Sequence, residues 1–219
     1  MAKLKLGILI SGRGSNLAAL ITACEQINFP AEIVLVLSNR ENAQGLNRAK
    51  TANIPTQVIT HAEFSDRKAF DSALTEALEH AGVELICLAG FMRLLGNDFV
   101  ARWTDKIINI HPSLLPAFRG LHVHERAIKA GVRLSGCTVH YVRSEVDDGP
   151  IIIQAAVPVL TDDDEVRLAA RILQSEHQIY PEAVRLIATG QAHPHGDIVK
   201  LTACDSAEAT LINPSIKGK

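Results

Sequence analysis

The sequence has little that would direct the protein to nucleic acid or to a membrane. Its formal net charge is only −2, so no excess of positive charge attracts phosphate backbones or anionic lipids. No apolar run reaches the roughly 18 residues of a membrane-spanning helix. The run Leu4–Ile10 is short and leads directly into a glycine-rich turn, so we do not expect a signal peptide. These absences predict a cytoplasmic protein with neither nucleic acid nor membrane as partner.

Cysteine and aromatic residues are also scarce. The four cysteines, Cys24, Cys87, Cys137 and Cys204, form no Cys-x-x-Cys pair, and three lie in apolar segments, which predicts buried, reduced thiols. The rest of the composition is ordinary, with 47% hydrophobic and 21% charged residues in 219. That length fits one domain with a substantial core.

Apolar runs alternate with helical patterns along the chain, which favours βαβ crossovers and a parallel sheet. The second half differs, because the loop Arg143–Pro150 is too short to hold a helix, so its flanking strands should pair antiparallel. We therefore predict an α/β fold with a mostly parallel twisted sheet, an antiparallel C-terminal part and flanking helices. Strands are predicted at Leu4–Ile10, Glu32–Leu37, Gln57–Ile59, Glu84–Leu88, Ile107–Ile110, Gly136–Val142 and Ile151–Val159, and helices at Leu17–Gln26, Gly45–Ala52, Arg67–His80 and from Asp162–Asp164 to about Ala188.

Asn109 and His111 end an apolar strand that Pro112 should stop. Residues two apart on a strand share a face, and the carboxyl ends of strands in an open α/β sheet are where ligands bind. An amide and an imidazole side by side can both donate to a carbonyl oxygen that gains negative charge, as acyl transfer requires. The alternative is a histidine that only makes structural hydrogen bonds.

Asp147 and Asp148 lie in a second loop at a strand end, just before Gly149-Pro150. An aspartate beside His111 would favour the imidazolium and make it a better donor. The alternative is a solvated acidic turn, because Asp-Gly is common turn chemistry. The sequence alone does not bring the two loops together.

A glycine-rich turn, Gly12–Asn16, follows the first strand and opens a helix. Glycine allows close backbone approach and a helix N-terminus attracts anions, so this turn suits phosphate. The dinucleotide-binding pattern fails, because Leu17 replaces its third glycine and Ser38-Asn39-Arg40 supplies no acidic residue for a ribose. The alternative is a plain tight turn capped by Ser15 or Asn16.

Other polar residues give weaker indications. His122 and His124 share a face if their segment is extended, but no third ligand has a suitable spacing, so we predict no metal site. Arg93 follows a strand end and is either a ligand contact or a surface residue. Arg67 opens a helix, where a solvated arginine is the default.

Five segments together resemble the phosphoribosylglycinamide formyltransferases, folate-dependent enzymes of purine synthesis. The resemblance extends from about Lys5 to Gly190. The Asn-x-His-Pro-Ser-Leu-Leu-Pro motif alone is also found in methionyl-tRNA formyltransferases and formyltetrahydrofolate deformylases, whereas the Gly-x-Gly-Ser-Asn turn makes the resemblance specific. The segments, in the family's order and approximate spacing, are Ser11–Leu17, Leu88–Arg93, Asn109–Pro116, Gly136–His140 and Asp147–Ile151.

The resemblance implies a Rossmann-like formyltransferase fold in one domain over residues 1–219. Residues 1–110 would bind the nucleotide phosphate, residues 111–190 would bind folate and carry the chemistry, and residues 191–219 would form a tail. The implied reaction transfers the formyl group of 10-formyltetrahydrofolate to the amine of glycinamide ribonucleotide. It requires only small-molecule substrates and no metal. The oligomeric state is left between monomer and homodimer.

The resemblance also implies individual roles. Asn109, His111 and Asp147 match the catalytic trio; Gly14, Ser15 and Asn16 match the phosphate turn; and Glu176 matches a carboxylate near the substrate amine. The folate pocket is implied to include Arg67, Met92, Arg93, Leu94, Leu95, Asn109, His140, Val142, Arg143 and Asp147. One departure is Asp148, where the family often has glycine. This second carboxylate is expected to alter the local charge or to compete for His111.

Two other functions stay open at this point. A folate- or nucleotide-binding protein without turnover is disfavoured, because binding alone does not require the full Asn–His–Asp set. A deformylase, with water in place of the amine, is disfavoured because water needs neither a phosphate turn nor Glu176.

Overall fold

A computed structural model describes residues 2–203 and 210–214, and in it seven strands form one sheet in the order β3-β2-β1-β4-β5-β6-β7. Strands β1 to β5 are parallel, whereas β6 is antiparallel to both β5 and β7. The predicted switch to antiparallel pairing in the second half is therefore confirmed. The strands are β1 (Leu4–Ile10), β2 (Ala31–Ser38), β3 (Thr56–Val58), β4 (Leu85–Leu88), β5 (Ile107–His111), β6 (Leu134–Tyr141) and β7 (Ile151–Pro158).

Helices cover both faces of the sheet. The long last helix begins after Asp164, whose carboxylate accepts a hydrogen bond from the Arg167 N–H at 2.8 Å. Beyond it, a hairpin of β8 (Ala192–His195) and β9 (Ile198–Leu201) accounts for the weak strand signals after Gly190. The helices are α1 (Ser15–Cys24), α2 (Gln44–Thr51), α3 (Arg67–His80), α4 (Asn97–Arg102), α5 (Val123–Lys129) and α6 (Glu165–Ala188).

The segment around His122 is not extended, contrary to expectation. His122 has a left-handed backbone with φ of 56° and directly precedes α5, and His124 lies in the first turn of that helix. Within the described ranges, no group of three or more potential ligands is arranged to hold a metal ion. Cys87 and Cys137 are buried free thiols and Cys24 is a half-buried one, whereas Cys204 lies outside the described residues. None of the described helices combines the length and apolarity needed to cross a bilayer.

The core lies in two layers because side chains alternate along each strand. In β1, Leu6, Ile8 and Ile10 pack toward α1 and α6, whereas Leu9 packs toward α3 on the other face. Strand β5 divides in the same way, with Ile108 facing the α1–α6 layer. Asn109 and His111, one and three residues further, therefore face the α3 side.

Helix α6 is attached to the middle of the sheet through a buried tyrosine. The Tyr180 hydroxyl lies 3.0 Å from the carbonyl oxygen of Leu88 and 3.3 Å from that of Ile108. These carbonyls belong to the neighbouring strands β4 and β5. The hydroxyl thus fixes α6 against the part of the sheet that leads to the predicted site.

Candidate active site

Asn109 is oriented by a histidine on the neighbouring strand. In the antiparallel β5–β6 register Asn109 is opposite His140, and the Asn109 amide nitrogen lies 3.2 Å from His140 Nε2. His140 Nδ1 lies 3.0 Å from the carbonyl oxygen of Tyr141, so Nδ1 carries the proton and Nε2 accepts from the amide. Burial lowers the pKa of His140, which agrees with this neutral form. One N–H of Asn109 is thereby held, and its second N–H is left for another acceptor.

His111, at the end of β5, and Asp147, in the loop before β7, lie side by side. His111 Nδ1 is 3.3 Å from Asp147 Oδ2, and both side chains are about nine-tenths buried. His111 Nε2 donates to the carbonyl oxygen of Phe118 at 3.0 Å. Both ring nitrogens thus lie beside hydrogen-bond acceptors. Asp147 also lies 3.7 Å from His140 Nε2, but that nitrogen accepts from Asn109, so this contact is not an ion pair.

Backbone geometry contributes to the position of Asp147. The residue has a φ of 52°, which aspartate tolerates better than most residues, and its Oδ2 accepts a hydrogen bond from the Gly120 N–H at 2.9 Å. Gly149 is packed so tightly against the carbonyl oxygen of Tyr141 that a Cβ has no space. Asp148 is paired with Arg119. Of the two alternatives given for Asp148, this contact favours an effect on local charge over competition for the histidine.

The glycine-rich turn after β1 leads into α1 without a side-chain cap. Gly14 adopts a left-handed conformation with φ of 69°, and a Cβ there would lie 2.7 Å from the Gly45 Cα. The first turn of α1 contains no acidic residue, so its free N–H groups and positive end are not neutralised from within the helix. This is the arrangement that the sequence predicted for an anion.

Glu176 of α6 reaches the same turn. The Asn16 amide donates to Glu176 Oε2 at 2.7 Å, while Asn16 Oδ1 is buried and has no hydrogen-bond partner among the described residues. Burial raises the pKa of Glu176, and the hydrogen bond from Asn16 opposes that shift. A carboxylate and an unpaired amide oxygen thus lie at the glycine-rich turn, and both can accept from a donor on a ligand.

Most of the residues predicted for the folate pocket line one cavity. It has a volume of about 140 Å³, below the roughly 300 Å³ of typical ligand pockets. His111 is not among its lining residues, whereas its neighbour Asp147 is. The predicted residues that do line it are Arg93, Leu94, Leu95, Asn109, His140, Val142, Arg143 and Asp147.

Arg67 and Met92 do not line this cavity. Arg67 instead borders a groove of about 870 Å³ between α3 and α4. Met92 is 63% exposed, and its N–H donates to the Ser11 hydroxyl at 2.8 Å. The loop between β4 and α4 borders both the groove and the cavity, because its Gly96 lines the groove and its Arg93 lines the cavity. The Arg93 guanidinium lies 5.8 Å from the centre of the Phe70 ring.

Sequence reasoning missed the loop that covers the histidine. The carbonyl of Phe118 and the N–H of Gly120 contact His111 and Asp147, yet backbone groups leave no signal in residue types. It also missed Thr138, which holds the loop after His111 through hydrogen bonds to the carbonyl of Ser113 and from the N–H of Leu115. The β5–β6 register would have indicated that Thr138 lies at the site, since Thr138 is opposite His111.

Comparison with known proteins now places this geometry in a family. The model of the formyl transferase family matches residues 4–184. The chain belongs to the formyl transferase family. A formyl transferase of Haemophilus influenzae named phosphoribosylglycinamide formyltransferase is 44% identical over 187 residues, which are 85% of this chain and 88% of that protein. The resemblance predicted from the five motifs is confirmed.

A solved formyl transferase structure confirms the Rossmann-like fold. Glycinamide ribonucleotide transformylase 1 from Symbiobacterium toebii superposes with a TM-score of 0.89 at 46% identity, over 91% of this chain and 94% of the other. The trifunctional purine biosynthetic protein adenosine-3 of Gallus gallus is 51% identical over 188 residues. The chain spans only 19% of the length of that relative.

Proposed function

We propose that this formyl transferase transfers the formyl group of 10-formyltetrahydrofolate to the amine of glycinamide ribonucleotide, giving formylglycinamide ribonucleotide and tetrahydrofolate. The observation that carries the proposal is the convergence of Asn109, His111 and Asp147 at one edge of the sheet, with the phosphate turn and Glu176 near the same edge. The names of the two relatives that this chain covers over most of their length support the same acceptor.

The proposed chemistry needs stabilisation of one developing negative charge. Attack of the amine on the formyl carbon forms a tetrahedral oxyanion, and Asn109 donates its free amide N–H to it. His111 Nε2 exchanges the Phe118 carbonyl for the same oxygen as its acceptor. Two donors aimed at one oxygen are the usual solution for acyl transfer.

Asp147 has two tasks in this mechanism. Its carboxylate, 3.3 Å from His111 Nδ1, keeps the imidazole in its donating form. It also accepts the proton that the attacking amine loses and passes it toward the leaving folate nitrogen, directly or through water. No covalent intermediate with the protein is formed.

The acceptor is held at its two ends. The free N–H groups of Ser15 and Asn16 at the start of α1 bind the phosphate, with Gly14 allowing its close approach. Glu176 and the unpaired Asn16 Oδ1 receive the N–H groups of the glycinamide end. The cavity lined by Arg93, Leu95 and Val142 receives the folate. A cytoplasmic location and a monomeric or homodimeric state stay predictions.

The test is folate absorbance on mixing the purified protein with 10-formyltetrahydrofolate, with and without glycinamide ribonucleotide. We expect tetrahydrofolate to form only when the ribonucleotide is present. Formation without any acceptor would identify a deformylase instead. No conversion in either mixture would refute turnover of these substrates.

A further inference from the structure

The loop of residues 118–120 contacts the loop of residues 147–149 beside the His111–Asp147 pair. On one loop, the Phe118 carbonyl accepts from His111 and the Gly120 N–H donates to Asp147. Between these two residues, the Arg119 side chain pairs with Asp148, the residue next to Asp147. Three consecutive residues of one loop thus each hold one group of the catalytic pair or its immediate neighbour.

The loop of Asp148 is fixed on both sides of that residue. Asp147 is in a left-handed conformation, and Gly149 is packed against the Tyr141 backbone. The Asp148 side chain reaches the other loop, where it pairs with Arg119. A shift of Asp148 would therefore be transmitted directly to the Asp147 carboxylate.

The loop of Arg119 is anchored from the other direction. Arg126 of α5 donates to the carbonyl oxygens of Arg119 at 2.6 Å and Leu121 at 3.2 Å. Its guanidinium also lies 5.7 Å from the centre of the Phe118 ring. Because α5 holds the backbone, the Arg119 side chain links a fixed helix to the loop of Asp147.

We propose that Arg119 and Asp148 form a positioning pair for formyl transfer, an ion pair that holds Asp147 against His111. This role rests on the proposed function. Neither side chain touches the reacting atoms, so the pair acts only through Asp147. Both are 43% exposed, so added salt should weaken the pair.

The test measures kcat and KM at saturating co-substrate for R119A, D148A, the double variant and the charge-swapped R119D/D148R. Exposed pairs are weak, so we expect kcat to fall about two- to fivefold in each single variant, with KM for the ribonucleotide unchanged. The double variant should lose no more than either single variant, and the swapped pair should recover most of kcat. Added sodium chloride at about 0.5 M should lower kcat of the wild type toward that of the variants.

A matched control is R102A, which removes an exposed pair of Arg102 with Glu79 between α3 and α4. It should leave kcat unchanged, and thermal melts of all variants should show intact folds. Wild-type kcat in both single variants would overturn the proposal, as would additive losses without recovery in the swapped pair. An inactive wild type would instead refute the proposed function itself, so the two failures are distinguishable.

Discussion

Replacing Asp147 by asparagine removes one negative charge while keeping its hydrogen bonds. A single oxygen, Oδ2, faces both the Gly120 N–H at 2.9 Å and His111 Nδ1 at 3.3 Å, so the oxygen of an asparagine can serve both. The new amide nitrogen takes the place of Oδ1, which lies 3.7 Å from His140 Nε2. The substitution therefore tests the charge and leaves the shape of the site unaltered.

The expected loss follows from the separation of the two groups. At 3.3 Å and an effective dielectric of about 20, unit charges attract by about 5 kcal/mol before desolvation is subtracted. A hundredfold loss of rate corresponds to about 2.7 kcal/mol, so the lost attraction is large enough to account for it. We expect D147N to lose on the order of 100-fold in kcat, with little change in KM for the ribonucleotide.

The assay is the ribonucleotide-dependent formation of tetrahydrofolate, followed by absorbance for D147N, the wild type and D162N. Asp162 is exposed, so D162N makes the same chemical change away from the site. Thermal melts confirm that the fold is intact. A kcat for D147N within a few-fold of the wild type would show that the charge on Asp147 does not drive the reaction.

Three further predictions concern the acceptor site and the loop beside the catalytic pair. Gly14→Ala should raise the Kd for the ribonucleotide about tenfold, because φ is 69° there; isothermal titration measures this Kd, and unchanged binding would contradict the phosphate assignment. Burial raises the pKa of Glu176, so the folded carboxyl binds its proton more tightly than the unfolded one does, and the resulting stability is full below about pH 4.5 and is lost as pH rises through the raised pKa. Glu176→Gln should therefore have the same melting temperature as the wild type in acid and a higher one at pH 8. If the variant and the wild type melt at the same temperature at pH 8 as well, Glu176 is not a buried ionisable carboxyl. Gly149→Ala should lower the free energy of unfolding by about 1–3 kcal/mol in urea melts, since a Cβ meets the Tyr141 carbonyl, and an unaltered urea midpoint would show that the loop can move aside.

The parallel half of the sheet was predictable because its strands are buried on both faces. Strands such as β1 and β4 then appear as continuous apolar runs that stand out from their polar connections. Helices α4 and α5 were not predicted, because six and seven residues are less than two turns and give no clear period. The expectation of an extended conformation at His122 was wrong for the same reason, since His122 directly precedes the short helix α5.

The placement of the candidate site residues was partly predictable from the sequence, but their contacts were not. Asn109 and His111 were correctly placed at a strand end because Pro112 stops the strand. The contact between Asn109 and His140 depends on a cross-strand register 31 residues away, which residue types do not specify. The partner of Asp148 could not be predicted for a similar reason, since Arg119 belongs to a loop without regular structure.

The hydrogen bond from Asn16 to Glu176 joins residues that are 160 positions apart. During synthesis on the ribosome, the glycine-rich turn and α1 are made early, but the carboxylate that completes their side of the acceptor site comes only with α6. Tyr180, one turn further on, also joins α6 to strands β4 and β5. Closing so long a stretch of chain is costly in entropy and comes late in folding. A nascent chain that lacks α6 should therefore be unable to hold the ribonucleotide, and binding of the ribonucleotide would report that the last helix has docked.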